Sequence, residues 1–494
     1  MKVILAGMNI DVERLHELRT VIQDVSEHNS AHFERLKGIL SADCFTPETL
    51  SAAYARISRS PLSVEKLRKK AAEDVQKSRK SNESIVFDMG HSSVAEHAVF
   101  NIDIIGITRL AAEFIQQHRL ASFTEKSQRY VKLDEDYLIP SELEGDSGLR
   151  ERFIETVKEL NRTYNELYTR IAKYLTGKHP ELTDADISGM AKEDARYVLP
   201  LATTSQMGMT VNARSAEYII KKLSAAPLTE VQMLSKKLHE ILQPATPSLI
   251  RYTTPSDYDC RQWQTSYDIG ESVNTSITPV QVIDYSVHGE KNVIAALLYR
   301  NGTHSFEELS HFVEQHDITK LLDDEWRGIN FYDSVDRAFE LADVTFELTV
   351  SASCYAQLKR HRMASIISGM YSSELTPVIP ETVKDSGCEK IYLAAIDQAS
   401  ELSREIAFFD GPASIYALTN AHRRRVIMKA NVREWYHFAR LRSDAHAQWE
   451  IRHLSHMIES ELRGIYPALT ALMMGKDEFI QKNYHKSAKK GPRS

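Results

Sequence analysis

Two segments of the chain carry the same run of chemically active side chains, 243 positions apart. The first, from Phe114, reads FIQQHRLASFTEKSQRY, and the second, from Gln357, reads QLKRHRMASIISGMYSS. Each predicts a helix that runs into a His-Arg pair. In the second segment Gln357, Arg360 and His361 lie at i, i+3 and i+4, so a helix would place them on one face. Guanidinium and imidazole groups at a helix end suit phosphates, to which arginine forms charge-assisted, often bidentate hydrogen bonds.

A later segment adds a second basic cluster. From Asn431 it reads NVREWYHFARLRSDAHAQWEIRHL, with Arg433 and His437 at i and i+4 and Arg442 beyond them. Both clusters also have a simpler interpretation. A basic helix end is favoured by the helix dipole without any ligand, and the later segment suits an amphipathic helix with a salt-bridged face. Residue spacing alone leaves both interpretations open.

No motif predicts a metal site or a cysteine nucleophile. The run GHSSVAEH, which contains His91 and Ser93, matches no strong zinc template, so a hydrogen-bonded turn is the better interpretation. The four cysteines are scattered without metal-ligand spacing, which suits a reducing cytoplasm and no disulfide framework. We expect no metal ion and a cytoplasmic protein.

Length and charge narrow the class of protein. A chain of 494 residues with 42% hydrophobic and 26% charged residues is typical of a globular protein with two or three domains. The formal net charge of −7 argues against a general nucleic-acid binder, although a local basic pocket for a small anion remains possible. No apolar run approaches the ~20 residues that span a bilayer, so no membrane partner is expected.

Three pairs of similar segments occur in the same order and indicate an internal duplication. Beside the two His-Arg segments, LSAAYARISRSPLS resembles IAALLYRNGTHS, and TVNARSAEYIIKKL resembles KANVREWYHFARLR. We therefore expect a first domain over 1–251, a polar linker without helical periodicity over 252–279, and a second domain over 280–494.

Each copy alternates strand and helix patterns. AVFNIDIIG and DVTFELTVS have the period of two expected of strands, and each is followed by the helix that leads into a His-Arg segment. Asn212 and Asn431 are the predicted N-caps of later helices, and Glu434 would complete a capping box with Asn431. The predicted fold class is α/β (α+β), with a mixed or antiparallel sheet flanked by helices in each copy.

Together these segments resemble the flavin-dependent thymidylate synthases, a family with an Arg-His-Arg-x7-Ser signature. GHSSVAEHAVFNIDI, QHRLASFTEKSQRYV and ARYVLPLATTSQMGMTVNAR carry the resemblance in the first half. QLKRHR and NVREWYHFARLRSDAHAQWEIR carry it in the second half. The resemblance implies bound FAD and synthesis of dTMP from dUMP, with methylenetetrahydrofolate as carbon donor and NADPH as reductant. Its members are homotetramers whose sites are shared between subunits.

The family's site residues are divided between the two halves of this chain. One group is matched only in the second half, by Gln357, Arg360, His361, Arg362 and Arg442. The first half has Phe114, Gln117, His118, Arg119 and Leu223 at those positions. The other group is matched only in the first half, by Glu125, Ser127, Arg129 and Arg196, whereas the second half has Ser368, Met370, Ser372 and Ile415. This complementary loss predicts one functional composite site, to which both halves contribute residues. It also predicts a second, equivalent site that is no longer functional.

The resemblance implies a role for each matched residue. The substrate-binding residues would be Gln357, Arg360, Glu125, Ser127, Arg129, Arg196 and Arg442. The residues around the flavin would be His91, Ser93, Arg360, His361, Arg362, Glu125, Asn431, Arg433 and His437. Arg442 would be the catalytic residue, because it would stabilise negative charge on the uracil as hydride reaches C6.

The duplication also implies an assembly, and two rival functions remain open. A homodimer of this chain would rebuild a pseudo-tetramer with two competent and two degenerate sites. One rival is a catalytically retired homologue that binds nucleotide or flavin, for which Arg442 would have little use. The other is a different flavin-linked methylation of a uridine nucleotide, which the net charge of −7 disfavours if the substrate is RNA.

Overall fold

The computed structural model describes residues 1–25, 45–129, 136–264, 275–300, 302–322, 325–330 and 332–481. The strands are β1 Lys2–Met8, β2 Val99–Thr108, β3 Ala121–Glu125, β4 Thr204–Asn212, β5 Val280–Tyr285, β6 Asp343–Ser351, β7 Ser365–Ser368 and β8 Arg423–Asn431. The helices of the first half are α1 Val12–Val25, α2 Glu48–Ala55, α3 Val64–Glu73, α4 Val75–Glu83, α5 Arg109–Gln116, α6 Ser147–Lys178, α7 Asp184–Ala195, α8 Ala213–Ser224, α9 Thr229–Leu242 and α10 Asp257–Gln264. Those of the second half are α11 Gly289–Tyr299, α12 Phe306–Glu314, α13 Ile318–Leu322, α14 Ala352–Leu358, α15 Glu381–Asp385, α16 Glu389–Phe409, α17 Val432–Arg442 and α18 Trp449–Ile465.

The chain divides into two compact units, and neither is one continuous stretch of sequence. The first unit contains residues 1–157, 201–270 and 405–416. The second unit contains residues 158–200, 271–404 and 417–494. Each unit therefore has one sheet and also includes a segment from the opposite half of the sequence.

The two sheets have the same topology. Among the described residues, the first unit has a four-stranded sheet in the order β1-β2-β4-β3 and the second has one in the order β5-β6-β8-β7. All neighbouring strands are antiparallel, and in the equivalent central pairs Val99 lies opposite Asn212 and Asp343 lies opposite Asn431. The predicted α+β class with antiparallel sheets is confirmed.

The core of each unit lies on one face of its sheet. In β2 the side chains of Phe100, Ile102 and Ile104 are buried, while those between them are exposed. In β6 the alternate residues Val344 and Phe346 are buried in the same way. The period of two in the sequence is thus confirmed. Each such large apolar side chain contributes about 1.5–3 kcal/mol through its removal from water.

Helices α8 and α17 begin at the two predicted asparagine caps. The side chain of Asn212 accepts a hydrogen bond from the backbone N–H of Ser215, and that of Asn431 accepts one from the N–H of Glu434 at 2.9 Å. The prediction that Glu434 completes a capping box is wrong, because the carboxylate of Glu434 is hydrogen-bonded to His361 instead.

The segment predicted to be a linker contains a helix. Helix α10 lies inside residues 252–279, whereas residues 265–274 are outside the described part of the chain. Ser256 and Asp259 stabilise its first turn reciprocally, since the Ser256 N–H donates to the Asp259 carboxylate and the Asp259 N–H donates to the Ser256 hydroxyl. Asp259 also forms ion pairs with Lys221 and Lys222 on α8. These ion pairs with α8 are tertiary contacts, which the local periodicity of the sequence could not indicate.

None of the helices in the described ranges combines the length and apolar composition needed to cross a lipid bilayer.

Candidate functional site

The ends of two helices meet over the sheet of the second unit. Strand β6 ends at Ser351, whose side chain caps α14, and strand β8 ends at Asn431, whose side chain caps α17. Because β6 and β8 are antiparallel, these helices begin at opposite ends of the sheet. Their C-terminal residues converge, so that Arg442 at the end of α17 contacts Gln357 near the end of α14.

The expected single helical face through Gln357, Arg360 and His361 is wrong, because α14 ends at Leu358. Beyond it, the N–H of Arg360 donates to the carbonyl of Gln357, and the N–H of His361 donates to the carbonyl of Leu358. These i→i−3 bonds tighten the chain into turns, as is common where a helix ends. They leave His361 buried and Arg362 exposed.

The guanidinium group of Arg442 is held by three hydrogen bonds. Its Nε–H donates to Nε2 of His361 at 3.0 Å, one Nη donates to the Gln357 side-chain oxygen at 3.1 Å, and the other donates to the Gln357 backbone carbonyl at 3.2 Å. A planar guanidinium bonded along both edges cannot rotate without breaking one of these bonds. Arg442 is therefore a preorientated cation rather than a mobile side chain.

His361 is a neutral imidazole, and its hydrogen bonds show which ring nitrogen carries the proton. It is only 2% exposed, and burial, followed by the charges of Arg442 and His437, holds its pKa well below the usual 6.5. Since Nε2 accepts a bond from Arg442, the proton lies on Nδ1, which donates to Glu434 at 3.1 Å. Burial raises the pKa of the Glu434 carboxyl, while His437 and Arg433 oppose the rise.

The Gln357 side chain has an unsatisfied donor. Its oxygen accepts from Arg442, which places the amide nitrogen on the other side of the group. That nitrogen is buried and has no hydrogen-bond partner among the described residues. A buried donor without a partner costs about 1–3 kcal/mol, so a ligand that supplied an acceptor here would recover that cost.

The carboxylate of Glu450 fixes the start of the helix that carries Gln357. The backbone N–H and hydroxyl of Ser351 donate to Glu450 at 3.1 and 2.5 Å, and the Tyr197 hydroxyl donates to Glu450 at 2.6 Å. Burial and the adjacent Glu450 raise the pKa of Tyr197 well above its usual value. Tyr197 belongs to the segment 158–200, so first-half sequence helps to build the second unit.

The first unit repeats this network with the halves exchanged. The N–H and hydroxyl of Thr108 donate to Glu230 at 2.9 and 2.6 Å, and the Tyr416 hydroxyl donates to the same carboxylate at 2.8 Å. Tyr416 comes from the segment 405–416. Tyr197 and Tyr416 thus hold corresponding positions, and the residues before them are Arg196 and Ile415.

Arg196 belongs to the same compact unit as Gln357, Arg360, His361, Arg362 and Arg442. It is 6% exposed, its Nε–H donates to the carbonyl of Glu193 at 3.1 Å, and its own carbonyl accepts from Asn420. The neighbouring Asp194 has its pKa raised to about 6 by burial, despite hydrogen bonds from Thr382 and Trp449. Arg196 is one of the four site residues that are matched only in the first half of the sequence, yet it lies in the second unit.

Three other second-half site residues lie beside the cluster, two of them in structural roles. Asn431 caps α17, and Arg433 donates to the Val335 carbonyl at 2.9 Å and forms an ion pair with Glu340 at 3.0 Å. His437 is exposed, and its ring lies edge-on to the His361 ring with centroids 5.8 Å apart.

The remaining predicted site residues belong to the first unit and not to the second: His91, Ser93, Glu125, Ser127 and Arg129. His91 and Ser93 are exposed at the 3₁₀ helix Ser92–His97, which confirms the expected turn. The Ser127 hydroxyl accepts from the Arg129 N–H at 3.2 Å. Glu125 forms a buried ion pair with Arg109 and accepts from the Gln116 amide at 3.0 Å.

Three residues that organise the site were missed by sequence reasoning. Glu434 was assigned to a helix cap, and Tyr197 and Glu450 were assigned no role. Tyr197 and Glu450 are 253 positions apart, so no local pattern could have paired them. The signal for Glu434 was available, since a carboxylate one helical turn into α17 lies close enough to serve either the cap or a neighbouring imidazole.

Comparison with known proteins identifies the family of this chain. The sequence profile of the thymidylate synthase complementing protein family matches the chain twice, over residues 40–248 and 281–468. A flavin-dependent thymidylate synthase from Clostridium tetani is 29% identical over 214 residues, 42% of this chain and 83% of that protein. A UPF0159 protein from Thermoplasma acidophilum is 26% identical over 444 residues, 79% of this chain and 87% of that protein. A flavin-dependent thymidylate synthase from Corynebacterium diphtheriae is 31% identical over 166 residues, 33% of this chain and 65% of that protein.

The two matched regions contain equivalent strands of the two sheets, β2 to β4 in the first region and β6 to β8 in the second, as a duplication of one domain predicts. Together they cover well over half of the sequence, and the predicted family resemblance is confirmed. The chain belongs to the thymidylate synthase complementing protein family.

Proposed function

We propose that this protein is a flavin-dependent thymidylate synthase, which converts dUMP to dTMP with methylenetetrahydrofolate as carbon donor, NADPH as reductant and FAD as bound cofactor. Two relatives from Clostridium tetani and Corynebacterium diphtheriae carry the name of that enzyme. The observation that carries the proposal is the Arg442 guanidinium, fixed between His361 and Gln357 in the second unit.

The donor set of this cluster fits a pyrimidine nucleotide. The buried Gln357 amide nitrogen, without a partner among the described residues, would donate to a ring carbonyl, and Arg442 would lie against the N3/O2 edge. Arg360 and Arg362, on the turn after α14, would bind phosphate through charge-assisted hydrogen bonds. A carbonyl-rich ring joined to a phosphate matches this combination of amide and guanidinium donors.

Arg442 would be the catalytic residue. FAD supplies hydride chemistry when it is bound. Negative charge that develops on the uracil would meet a guanidinium already held in place, so no reorganisation is needed at that moment. His361 would act by positioning Arg442, since both of its ring nitrogens are already hydrogen-bonded within the protein.

The residues around the cluster also fit a flavin dinucleotide. Arg362 and His437 are exposed, and a cationic and an imidazole side chain suit a pyrophosphate and a ring edge. Arg433 and Asn431 would act indirectly, because an ion pair and a helix cap already engage their side chains.

We propose that the first-half residues complete the site. Ser127, Arg129 and Arg196 would bind the phosphate and sugar, and Glu125, His91 and Ser93 would lie near the flavin. The protein would act as a homodimer with one competent site per chain. Chromatography with light scattering tests the assembly, and a particle of one chain's mass would contradict it.

The activity is tested by supplying purified protein with FAD, dUMP, methylenetetrahydrofolate and NADPH, and measuring dTMP. We expect dTMP to form and to require all four components. Bound FAD and dUMP without dTMP would identify a retired homologue. Methylation of a uridine in RNA, with dUMP ignored, would identify another flavin-linked methyltransferase.

A further inference from the structure

The first unit contains a cavity of about 790 Å³ where its own His-Arg segment ends. It lies between the end of α5 and one side of α8, and α10 contributes one wall through Gln262 and Trp263. All of its lining residues belong to the first unit. The volume is within the ~300–1,000 Å³ typical of small-molecule and cofactor sites.

The walls of this cavity combine aromatic rings with positive charge. Phe114 and Trp263 pack with their ring centroids 5.4 Å apart and an angle of 33° between the ring planes. The cations are Arg119, Arg214 and Lys222, and none of the lining residues in the described chain is an aspartate or glutamate. Arg214 is paired with Glu96 and Lys222 with Asp259. The positive charge of Arg119 beside the aromatic rings therefore favours a planar, anionic ligand.

The imidazole of His118 has lost the partners that its counterpart keeps. In the second unit, His361 bonds Arg442 and Glu434, whereas the first unit has Leu223 and Ser215 at those positions. The Nε2 atom of His118 is buried, and it has no hydrogen-bond partner among the described residues.

The charge state of His118 follows from the same surroundings. Burial, followed by the nearby Lys222, lowers its pKa to about 4, so the ring is neutral at pH 7. A neutral imidazole nitrogen in a cavity wall gives a ligand one directional hydrogen bond.

The wall formed by α10 is anchored to the body of the unit. Asp259 is 3% exposed and accepts from Lys222 at 2.7 Å, while Lys221 pairs with its other oxygen at 3.1 Å. Lys222 also lies 5.7 Å from the centre of the Tyr218 ring. Trp263 is therefore held over the cavity by a buried carboxylate, which makes the site preformed.

We propose that this cavity is a second ligand site, which binds a mononucleotide, that is, a planar heteroaromatic ring carrying a phosphate. The ring would stack against Phe114 and Trp263 and would bond to His118 Nε2. The phosphate would be bound by Arg119, which is exposed at the rim. With Leu223 in the place of Arg442, the site binds without catalysing, and it does not depend on the activity proposed for the second unit.

Trp263 allows binding to be located directly. The chain has four tryptophans, at positions 263, 326, 435 and 449, and incorporation of 5-fluorotryptophan gives each a separate fluorine resonance. The Trp263→Phe variant assigns the line of interest. The full-length protein is then titrated separately with dTMP, AMP, FMN and inorganic phosphate.

We expect at least one of the three nucleotides to shift the Trp263 line saturably, and inorganic phosphate to shift it far less. Arg119→Ser should weaken that binding about tenfold or more. Arg170→Ser, a matched change of an exposed arginine on α6, should leave it unaltered. Gln117→Ala gives an independent variant of the wall, with weaker binding expected.

Three outcomes would overturn the proposal. In one, no nucleotide moves the Trp263 line at millimolar concentration. In another, inorganic phosphate alone reproduces the shift, which would reduce the site to a patch of positive charge. In the third, the Arg119→Ser and Gln117→Ala variants both bind as tightly as the unmodified protein.

Discussion

The Nε–H of Arg442 donates a hydrogen bond to Nε2 of His361 over 3.0 Å. This bond decides both the tautomer of the imidazole and the orientation of the guanidinium. In the first unit Leu223 and His118 occupy the corresponding positions, and a leucine cannot donate. The two halves therefore share a scaffold, but the bond from Arg442 to His361 beside the unsatisfied Gln357 amide is not repeated at the corresponding positions of the first unit.

Replacing Arg442 by lysine should lower kcat by about 10²–10³-fold, because one preorganised donor group at the reacting ring is lost. Lysine retains the charge but cannot bond His361 and both Gln357 oxygens in one plane. Steady-state dTMP formation measures the effect. Arg463→Lys, at a half-exposed arginine on α18, is the matched control, and an equal loss in both variants would contradict the assignment.

Changing Glu434 to leucine should reduce both stability and activity, since it leaves the buried Nδ1–H of His361 without an acceptor. The expected loss of unfolding free energy is about 1–3 kcal/mol. Glu434→Gln should recover most of it, because an amide oxygen can accept the same bond. Urea unfolding gives the stabilities, and nitrogen chemical shifts of His361 report the tautomer. A glutamine variant as impaired as the leucine variant would show that the negative charge, rather than positioning, matters.

Removing Arg109 should destabilise the first unit by about 3–5 kcal/mol, because Glu125 is left buried without its ion-pair partner. The second half has Ala352 and Ser368 at the corresponding positions. The double variant Arg109→Ala with Glu125→Ser should therefore cost less than the two single changes added together. A double-mutant cycle from urea unfolding measures the coupling. Strict additivity would mean that the pair does not act as a unit.

Removing the hydroxyl of Tyr197 should cost about as much stability as removing that of Tyr416. Each donates to a carboxylate that also binds the residue capping the following helix, Glu450 with Ser351 and Glu230 with Thr108. A loss of about 1–3 kcal/mol is expected for Tyr197→Phe and for Tyr416→Phe. Thermal unfolding compares them, and a harmless change at either position would break the proposed equivalence of the two networks.

Stability should fall as pH falls from about 6.5 to about 4, and His422 should account for part of the slope. Its Nδ1 accepts from the Thr419 N–H at 2.9 Å, and burial lowers its pKa to about 4. Between these pH values the unfolded chain binds a proton that the folded chain does not, so protonation favours unfolding. The shift corresponds to about 3 kcal/mol at full effect.

His422→Asn should flatten this pH dependence in unfolding experiments between pH 7 and 4. The same direction is expected from His118, whose pKa is also lowered to about 4. A variant that kept the full slope would show that His422 is protonated in the folded protein at mildly acidic pH.

Local patterns predicted the parts of the fold that depend on near neighbours. The alternation in β2 and β6 and the caps at Asn212 and Asn431 are decided within a few residues, and all of them are confirmed. The local cap of α10 by Ser256 and Asp259 was available from the sequence, but the anchor of this helix, the Asp259 pair with Lys222, joins residues 37 positions apart. For the same reason the choice of Glu434 between a cap and His361 could not be made before the tertiary contacts were known.

The most direct test of the account is a titration of the FAD-loaded protein with dUMP, monitored by flavin absorbance. We expect a shift that saturates at one nucleotide per chain beside the flavin, that is weakened in Arg442→Lys and that persists in Arg119→Ser. Nucleotide bound in the first-unit cavity would move the Trp263 resonance without changing this absorbance. A flavin spectrum indifferent to dUMP, or one that responds equally in Arg442→Lys, would contradict a nucleotide site built on Arg442.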